Sequence, residues 1–324
     1  MDFSDFCVTY LMSAGAVVCR ADAKRNVWGL CEMKILITGS TGMLGSECTK
    51  VLGKDHEVIT PGKTEMDITS WDGVIDNLQK TSPDVVLNCV AFTDVDACET
   101  EAFTVRKLNI EGPRNLAQCS ARFECKLVHI SSDYVFDGKK MMPQPYFEDD
   151  APNPLSAYGL SKMESESAVR DNSPNYLIIR TSWLYGIEGS NFIKSILRQA
   201  MKKKKEGLKV VNDQFVSPTW AYRLALQIRE LLTARAVGTY HATAEGYCSP
   251  FEYARYVLDK LGIKASIEPV QLKDLNLPAR RPLNCLLENR LLKKQGINVM
   301  VDWKEDLDTF LDRSGEQLLK EAGA

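Results

Sequence analysis

Residues Met33-Lys34-Ile35-Leu36-Ile37-Thr38-Gly39-Ser40-Thr41-Gly42-Met43-Leu44-Gly45 read as a short buried strand, a glycine-rich turn and the first turn of a helix. Gly39, Gly42 and Gly45 recur at three-residue spacing. Glycine at these points lets the backbone turn sharply and approach a ligand, because no Cβ stands in the way. The helix start then offers unpaired N–H groups and a positive dipole end, the environment a pyrophosphate needs. The helix continues through Glu47, Cys48, Val51 and Leu52.

Strands and helices alternate after this turn. His56 to Thr60, Pro83 to Ala91, Lys126 to Ile130 and Tyr176 to Arg180 read as strands, and the last three are apolar enough for burial on both faces. Trp71 to Leu78, Asn109 to Cys119 and Ala157 to about Val169 read as the intervening helices, with Asp67 as the expected N-cap of the first. This rhythm predicts βαβ units, hence an α/β fold with a Rossmann-type doubly wound parallel sheet. Beyond Gly186 the rhythm changes. Helices over Phe192–Lys203, Ala221–Leu232, Phe251–Leu261 and Trp303–Leu311, with a short strand at Thr239–Ala242, predict a smaller mixed α/β substrate region. The expected division is 1–32 as a disordered extension, 33–185 as the nucleotide-binding domain and 186–324 as mainly substrate region. The helix 219–233 and the strand near it are expected to return to the first domain.

Composition narrows the function classes. The chain has 324 residues, of which 44% are hydrophobic and 26% charged, with a net charge of −3. No global field favours nucleic acid or an anionic membrane, and no apolar run reaches the roughly 18 residues needed to cross a bilayer. The lysines from Lys202 to Lys205 read as a solvated helix end. Ten cysteines are scattered without C-x-x-C or Cys/His spacing, and the histidines are only His56, His129 and His241, so no metal site is expected. The thiols read as reduced and mostly buried, in a cytoplasmic protein. Val8 to Val18 is moderately apolar, but Asp2 and Asp5 stand where a signal peptide needs positive charge. Met33 looks like a natural start.

Three side chains carry chemistry: Ser132 at a strand tip, then Tyr158 and Lys162, four apart on one helical face. A carbonyl reduction needs a hydride donor and a proton donor. Nicotinamide supplies the first, and tyrosine the second, although its free pKa is near 10. The Lys162 ammonium is expected to draw the Tyr158 pKa down by roughly 1–3 units, and Ser132 to hydrogen-bond the substrate carbonyl and the forming alkoxide. After the second strand the chain reads Thr60-Pro61-Gly62-Lys63, with no carboxylate to repel a 2′-phosphate, which favours NADPH over NADH.

With these residues placed, the chain resembles the dTDP-4-dehydrorhamnose reductases, a family of extended short-chain dehydrogenase/reductases. The likeness rests on Gly39 to Gly45, Asp67-Ile68, Asn88 to Asp96, Ser131 to Gly138, Tyr158 to Lys162, Arg180 to Gly186, Asp213-Gln214, Ser217-Pro218-Thr219 and Arg280-Arg281-Pro282. It implies reduction of dTDP-4-dehydro-β-L-rhamnose to dTDP-L-rhamnose. Cofactor contacts are expected at Gly39, Thr41, Gly42, Met43, Leu44, Gly45, Asp67, Ile68, Ala91, Phe92, Thr93, Tyr158 and Lys162, and sugar contacts at Ser132, Asp133 and Trp183. Arg280 or Arg281 is a candidate for the pyrophosphate, an ion pair being the alternative. The implied partner is a dTDP-sugar; a homodimer is compatible, and neither nucleic acid nor membrane is expected. The chain departs from the family in carrying Ser132 where many members have Thr, and Phe92 where Tyr or His is common. Two other readings stay open: a reductase or epimerase of another nucleotide-4-ketosugar, and an NADP-binding regulatory subunit like methionine adenosyltransferase β.

Overall fold

A computed structural model describes residues 32–202 and 207–323. The N-terminal extension up to residue 31 and the lysine run beyond Lys202 lie outside the described residues. In chain order the elements are β1 (Lys34–Thr38), α1 (Met43–Leu52), β2 (Glu57–Ile59), α2 (Trp71–Thr81), β3 (Val85–Asn88), α3 (Ala102–Val105), α4 (Gly112–Arg122), β4 (Lys126–Ser132), α5 (Ala157–Asn172) and β5 (Tyr176–Thr181). There follow β6 (Leu184–Tyr185), α6 (Phe192–Lys202), β7 (Leu208–Val211), β8 (Thr219–Trp220), α7 (Ala221–Thr233), β9 (Gly238–His241), α8 (Pro250–Lys260), β10 (Ile267–Val270), α9 (Arg290–Lys294) and α10 (Trp303–Gly323).

One six-stranded sheet in the order β2-β1-β3-β4-β5-β9 carries the nucleotide-binding half, and every pairing in it is parallel. The residue-by-residue alternation of β1 explains its two covers. Ile35 and Ile37 point into a core shared with α1 and α7, whereas Leu36 joins Val74, Leu78 and Leu116 on the α2–α4 side. Burial on both faces is what a parallel sheet requires. The strand order reverses between β1 and β3, so a crevice opens beyond their carboxyl ends, the usual ligand position in such sheets.

The chain leaves the sheet after β5, crosses once at Trp220–Ala221, returns through α7 and β9, and leaves again. Trp220 is buried in a second core with Tyr185, Tyr253, Trp303 and Phe310, while its neighbour Ala221 is buried in the first. That second core, built mainly from α6, α8 and α10, carries the smaller lobe. Three of the boundaries that differ from the sequence expectation have a visible cause. The N-cap of α2 is Ser70, whose Oγ accepts from Gly73 N at 3.1 Å, because Asp67 turns its carboxylate to the Thr69 N–H at 2.9 Å. The helix expected from Asn109 is preceded by a π-helical stretch, Arg106–Glu111. The terminal helix runs on to Gly323, because Leu318 and Ala322 continue the buried stripe of Leu307, Phe310 and Leu311.

Candidate active site

The glycine turn is built for close approach. Gly39 has φ +70, and a Cβ there would lie 3.1 Å from the carbonyl carbon of Cys89. A Cβ on Gly45 would sit 2.1 Å from the Gly39 carbonyl oxygen. The spacing therefore presses α1 onto the turn and the turn onto the chain leaving β3. Gly42 is the N-cap of α1; no side chain caps it and no acidic residue stands in the first turn. The first N–H groups of Met43, Leu44 and Gly45 have no intrahelical partner, and with the dipole they offer an anion site open to Thr41, which is exposed.

Beyond β3 a polar line ties the crevice to α5. Asn88 Oδ1 accepts from Thr38 Oγ1 at 2.8 Å and from Val90 N at 3.1 Å. Asn88 Nδ2 lies 3.2 Å from His129 Nδ1, and His129 Nε2 lies 2.9 Å from Ser165 Oγ. An amide that donates to Nδ1 requires the proton on Nε2, so His129 is a neutral strand residue. Burial and the charge of Lys162 both hold its pKa well below the usual value. Ala91 and Phe92 are half-buried and Thr93 is exposed. Phe92 is clamped by Asn109, whose Oδ1 accepts from Phe92 N at 2.7 Å and whose Nδ2 donates to Phe92 O at 3.0 Å. The same Nδ2 reaches Ser161 Oγ at 2.9 Å, and Ser161 Oγ donates to Tyr158 O at 2.7 Å. Asn109 thus joins the crevice loop to the Tyr158 helix. Sequence reasoning read it only as a helix start; the structure places it in the π-helical stretch Arg106–Glu111, a geometry often found at functional sites.

In the segment after β2, Ile68 is buried, with its Cδ1 2.6 Å from where a Cβ on Gly112 would be, and Asp67 is exposed. Lys63 is exposed, but a carboxylate does stand in its loop: Glu65 Oε2 accepts from Gly62 N at 2.7 Å. The sequence overlooked it because Glu65 folds back across three residues.

The three side chains singled out from the sequence, Ser132, Tyr158 and Lys162, lie around the tip of β4. Gly159 allows α5 to press on the turn after β4, since a Cβ there would lie 2.2 Å from Tyr134 O. The Tyr158 and Tyr134 rings pack edge to face with centroids 5.6 Å apart, which sets Tyr158 beside the turn that Ser132 opens. Lys162 is 2% exposed and donates to Ile130 O at 2.7 Å. Burial pulls its pKa down to about 8 against the opposing pull of Glu166. Tyr158 departs from the expectation: its pKa is raised, by burial and by the charge of Asp133, with the Ser132 contact opposing. Lys162 is not among the groups that set this shift; its ammonium is held at the Ile130 carbonyl. Behind it lies a buried ion pair. Glu166 takes Arg180 Nε on Oε1 and Nη2 on Oε2, both at 2.8 Å, and Ser131 Oγ at 2.6 Å.

Asp133 was expected at the sugar. It is 3% exposed, and its oxygens accept from Ser132 Oγ at 2.8 Å and Ser182 Oγ at 2.9 Å. Burial pushes its pKa up to about 6 despite these donors. Trp183, next to Ser182, has φ +46, a strained value for a bulky side chain. It is half-buried, its ring 5.2 Å from that of Phe192. Arg281 forms a two-pronged ion pair with Asp96 at 2.7 and 3.0 Å, which joins the C-terminal segment to the loop after β3; Arg280 is exposed. All seven described cysteines are free, and all but the half-buried Cys89 are buried.

A doubly wound sheet with a glycine cradle at its switch point, a serine at a strand tip and Tyr-x-x-x-Lys on the next helix defines an extended short-chain dehydrogenase/reductase. The chain belongs within that class to the family described as RmlD substrate binding domain, whose model matches residues 33–315. It is 37% identical to the spore coat polysaccharide biosynthesis protein SpsK of Bacillus subtilis, over 86% of this chain and 96% of that protein. Among solved structures it resembles a dTDP-4-dehydrorhamnose reductase of Clostridium acetobutylicum, with TM-score 0.84 and 38% identity over 87% of this chain and 100% of that one. The Bacillus anthracis dTDP-4-dehydrorhamnose reductase in complex with NADP gives TM-score 0.83 and 34% identity, over 87% of this chain and 99% of that one.

Proposed function

We propose that this chain reduces the 4-keto group of dTDP-4-dehydro-β-L-rhamnose with NADPH, giving dTDP-L-rhamnose. The observation that carries the reading is the packing of the Tyr158 ring on that of Tyr134, two residues beyond Ser132, at the tip of β4, with Lys162 one helical turn away, in a member of a family whose relatives bear that activity. A dinucleotide fits the residues present: Gly39 and Gly45 let the turn pack tightly between α1 and the chain leaving β3, and the uncapped start of α1 suits a pyrophosphate. NADPH, when bound, supplies the hydride.

This chain's own residues handle the proton and the charge. A reduction must begin with the phenol protonated, and the raised pKa of Tyr158 secures that state. Tyr158 gives its proton to the sugar O4 as the carbonyl becomes an alcohol. Solvent then restores the proton of the Tyr158 phenolate. Arg281 and Asp96 hold the two sides of the crevice together. Trp183 offers an indole face to a deoxysugar methyl. Residues 33–185 serve mainly the cofactor and 186–324 mainly the sugar nucleotide.

The test is turnover by the purified protein on a panel of dTDP- and UDP-linked 4-keto sugars, followed at the NADPH absorbance band. Preference for dTDP-4-dehydro-β-L-rhamnose is expected. Better turnover of another sugar would replace the substrate, and tight NADPH binding without any turnover would favour the regulatory-subunit reading.

A further inference from the structure

A serine hydroxyl has one proton to donate, and the geometry shows where that of Ser132 goes. Ser132 Oγ donates to Asp133 Oδ1 at 2.8 Å and accepts from Tyr134 N at 3.2 Å. With its only proton so committed, Ser132 has nothing to give a substrate oxygen. Every group around the carboxylate maintains this arrangement. Ser182, at the end of β5, donates to the other oxygen at 2.9 Å. The thiol of Cys285, kept neutral by burial, faces it from the C-terminal segment. Tyr134 and Tyr158 are the remaining titratable neighbours, and the charge of Asp133 raises the pKa of both. Arg281 is the nearby cation, acting on Tyr134.

Resting on the reduction proposed above, we infer that Asp133 is a positioning residue that sets the direction of the Ser132 hydrogen bond. Ionised, it takes the Ser132 proton and holds the hydroxyl as an acceptor. Protonated from solvent, it becomes the donor to Ser132 Oγ, and the Ser132 proton turns to the sugar O4. Three effects favour reduction in the protonated state. Ser132 can then stabilise the forming alkoxide, and no second negative charge stands beside it. Removing that charge also makes Tyr158 a stronger acid. The carboxylate sits at about 6, so the change falls in an accessible range.

The experiment is the pH profile of kcat for dTDP-4-dehydro-β-L-rhamnose reduction, from about pH 5 to pH 9, for wild type, Asp133→Asn and Ser182→Ala. Wild type is expected to slow across the titration of Asp133, with a second decline near the value of about 8 held by Lys162. Asp133→Asn carries a neutral amide donor, so the first decline should vanish while the second stays. Ser182→Ala removes a donor to the carboxylate, so the first decline should move to higher pH with KM within about twofold. An Asp133→Asn profile that keeps the first decline, a Ser182→Ala profile that leaves it in place, or a wild-type profile without it would each overturn the inference. If Asp133→Asn does not fold, by circular dichroism, the Ser182→Ala shift decides alone. Absence of wild-type turnover on the sugar at every pH would instead overturn the proposed function.

Discussion

Gly45→Ala is a substitution whose sign general propensity gets wrong. Gly45 lies inside α1, and replacing an interior helical glycine with alanine ordinarily stabilises by about 1 kcal/mol. Here the added Cβ would lie 2.1 Å from Gly39 O, 2.7 Å from Gly39 C and 2.9 Å from Ser40 Cα. All three are backbone atoms, so no side chain can swing aside; the start of α1 must move from the turn by about an ångström. Overpacking of this kind costs about 1–3 kcal/mol, more than the propensity gain. The displaced N–H groups are those offered to the pyrophosphate, so much of the cost falls on binding. If all of it does, the NADPH Kd rises roughly 5- to 150-fold, since 1.4 kcal/mol is tenfold. Gly73→Ala in α2 is the control: its Cβ would have nothing nearer than 3.4 Å, so this variant should gain about 0.5–1 kcal/mol. The assay is NADPH titration by fluorescence together with urea denaturation of both variants. A Gly45→Ala protein with unchanged Kd and raised stability would refute the reasoning.

Tyr158→Phe should lower turnover by roughly 10²–10⁴, the range for losing a general acid, with the NADPH Kd within about twofold; undiminished turnover would remove Tyr158 from the chemistry. Glu166→Gln leaves the buried Arg180 guanidinium without its counter-charge and should cost about 3–5 kcal/mol in urea denaturation. The Glu166 pKa is lowered from 4.5, by Arg180 foremost against burial. Its contribution is therefore present above the unfolded value and lost as pH falls through the lower folded one. Wild-type stability should accordingly drop more steeply in acid than that of Glu166→Gln, and parallel curves would count against the ion pair.

What the sequence made legible was local. The β1 alternation, the glycine spacing and the Tyr158–Lys162 step each follow from periods of a strand, a turn or a helix. Ser132 was legible because an apolar strand ended in a hydroxyl. What stayed hidden depends on contacts between distant segments. Asn109 acts on Phe92, 17 residues away, and Glu166 pairs across 14 residues with Arg180. Arg281 finds Asp96 across 185 residues. No periodicity reports such partners. The direction of the Tyr158 shift was misread for the same reason: helical spacing brings Lys162 near, but the Ile130 carbonyl that takes its ammonium belongs to β4. The helix α10 continues past the expected Leu311 and through Gly315, where the missing side chain accommodates Leu261, whose Cδ2 would lie 3.1 Å from a Cβ.

The most direct measurement of the central claim is the fate of the hydride. The protein is incubated with dTDP-4-dehydro-β-L-rhamnose and NADPH deuterated at nicotinamide C4, and the sugar product is examined by NMR. The account predicts dTDP-L-rhamnose with deuterium at C4 of the sugar, formed mole for mole with oxidised cofactor by wild type and nearly abolished in Tyr158→Phe. Deuterium at another carbon, or cofactor that binds and is never oxidised, would contradict it.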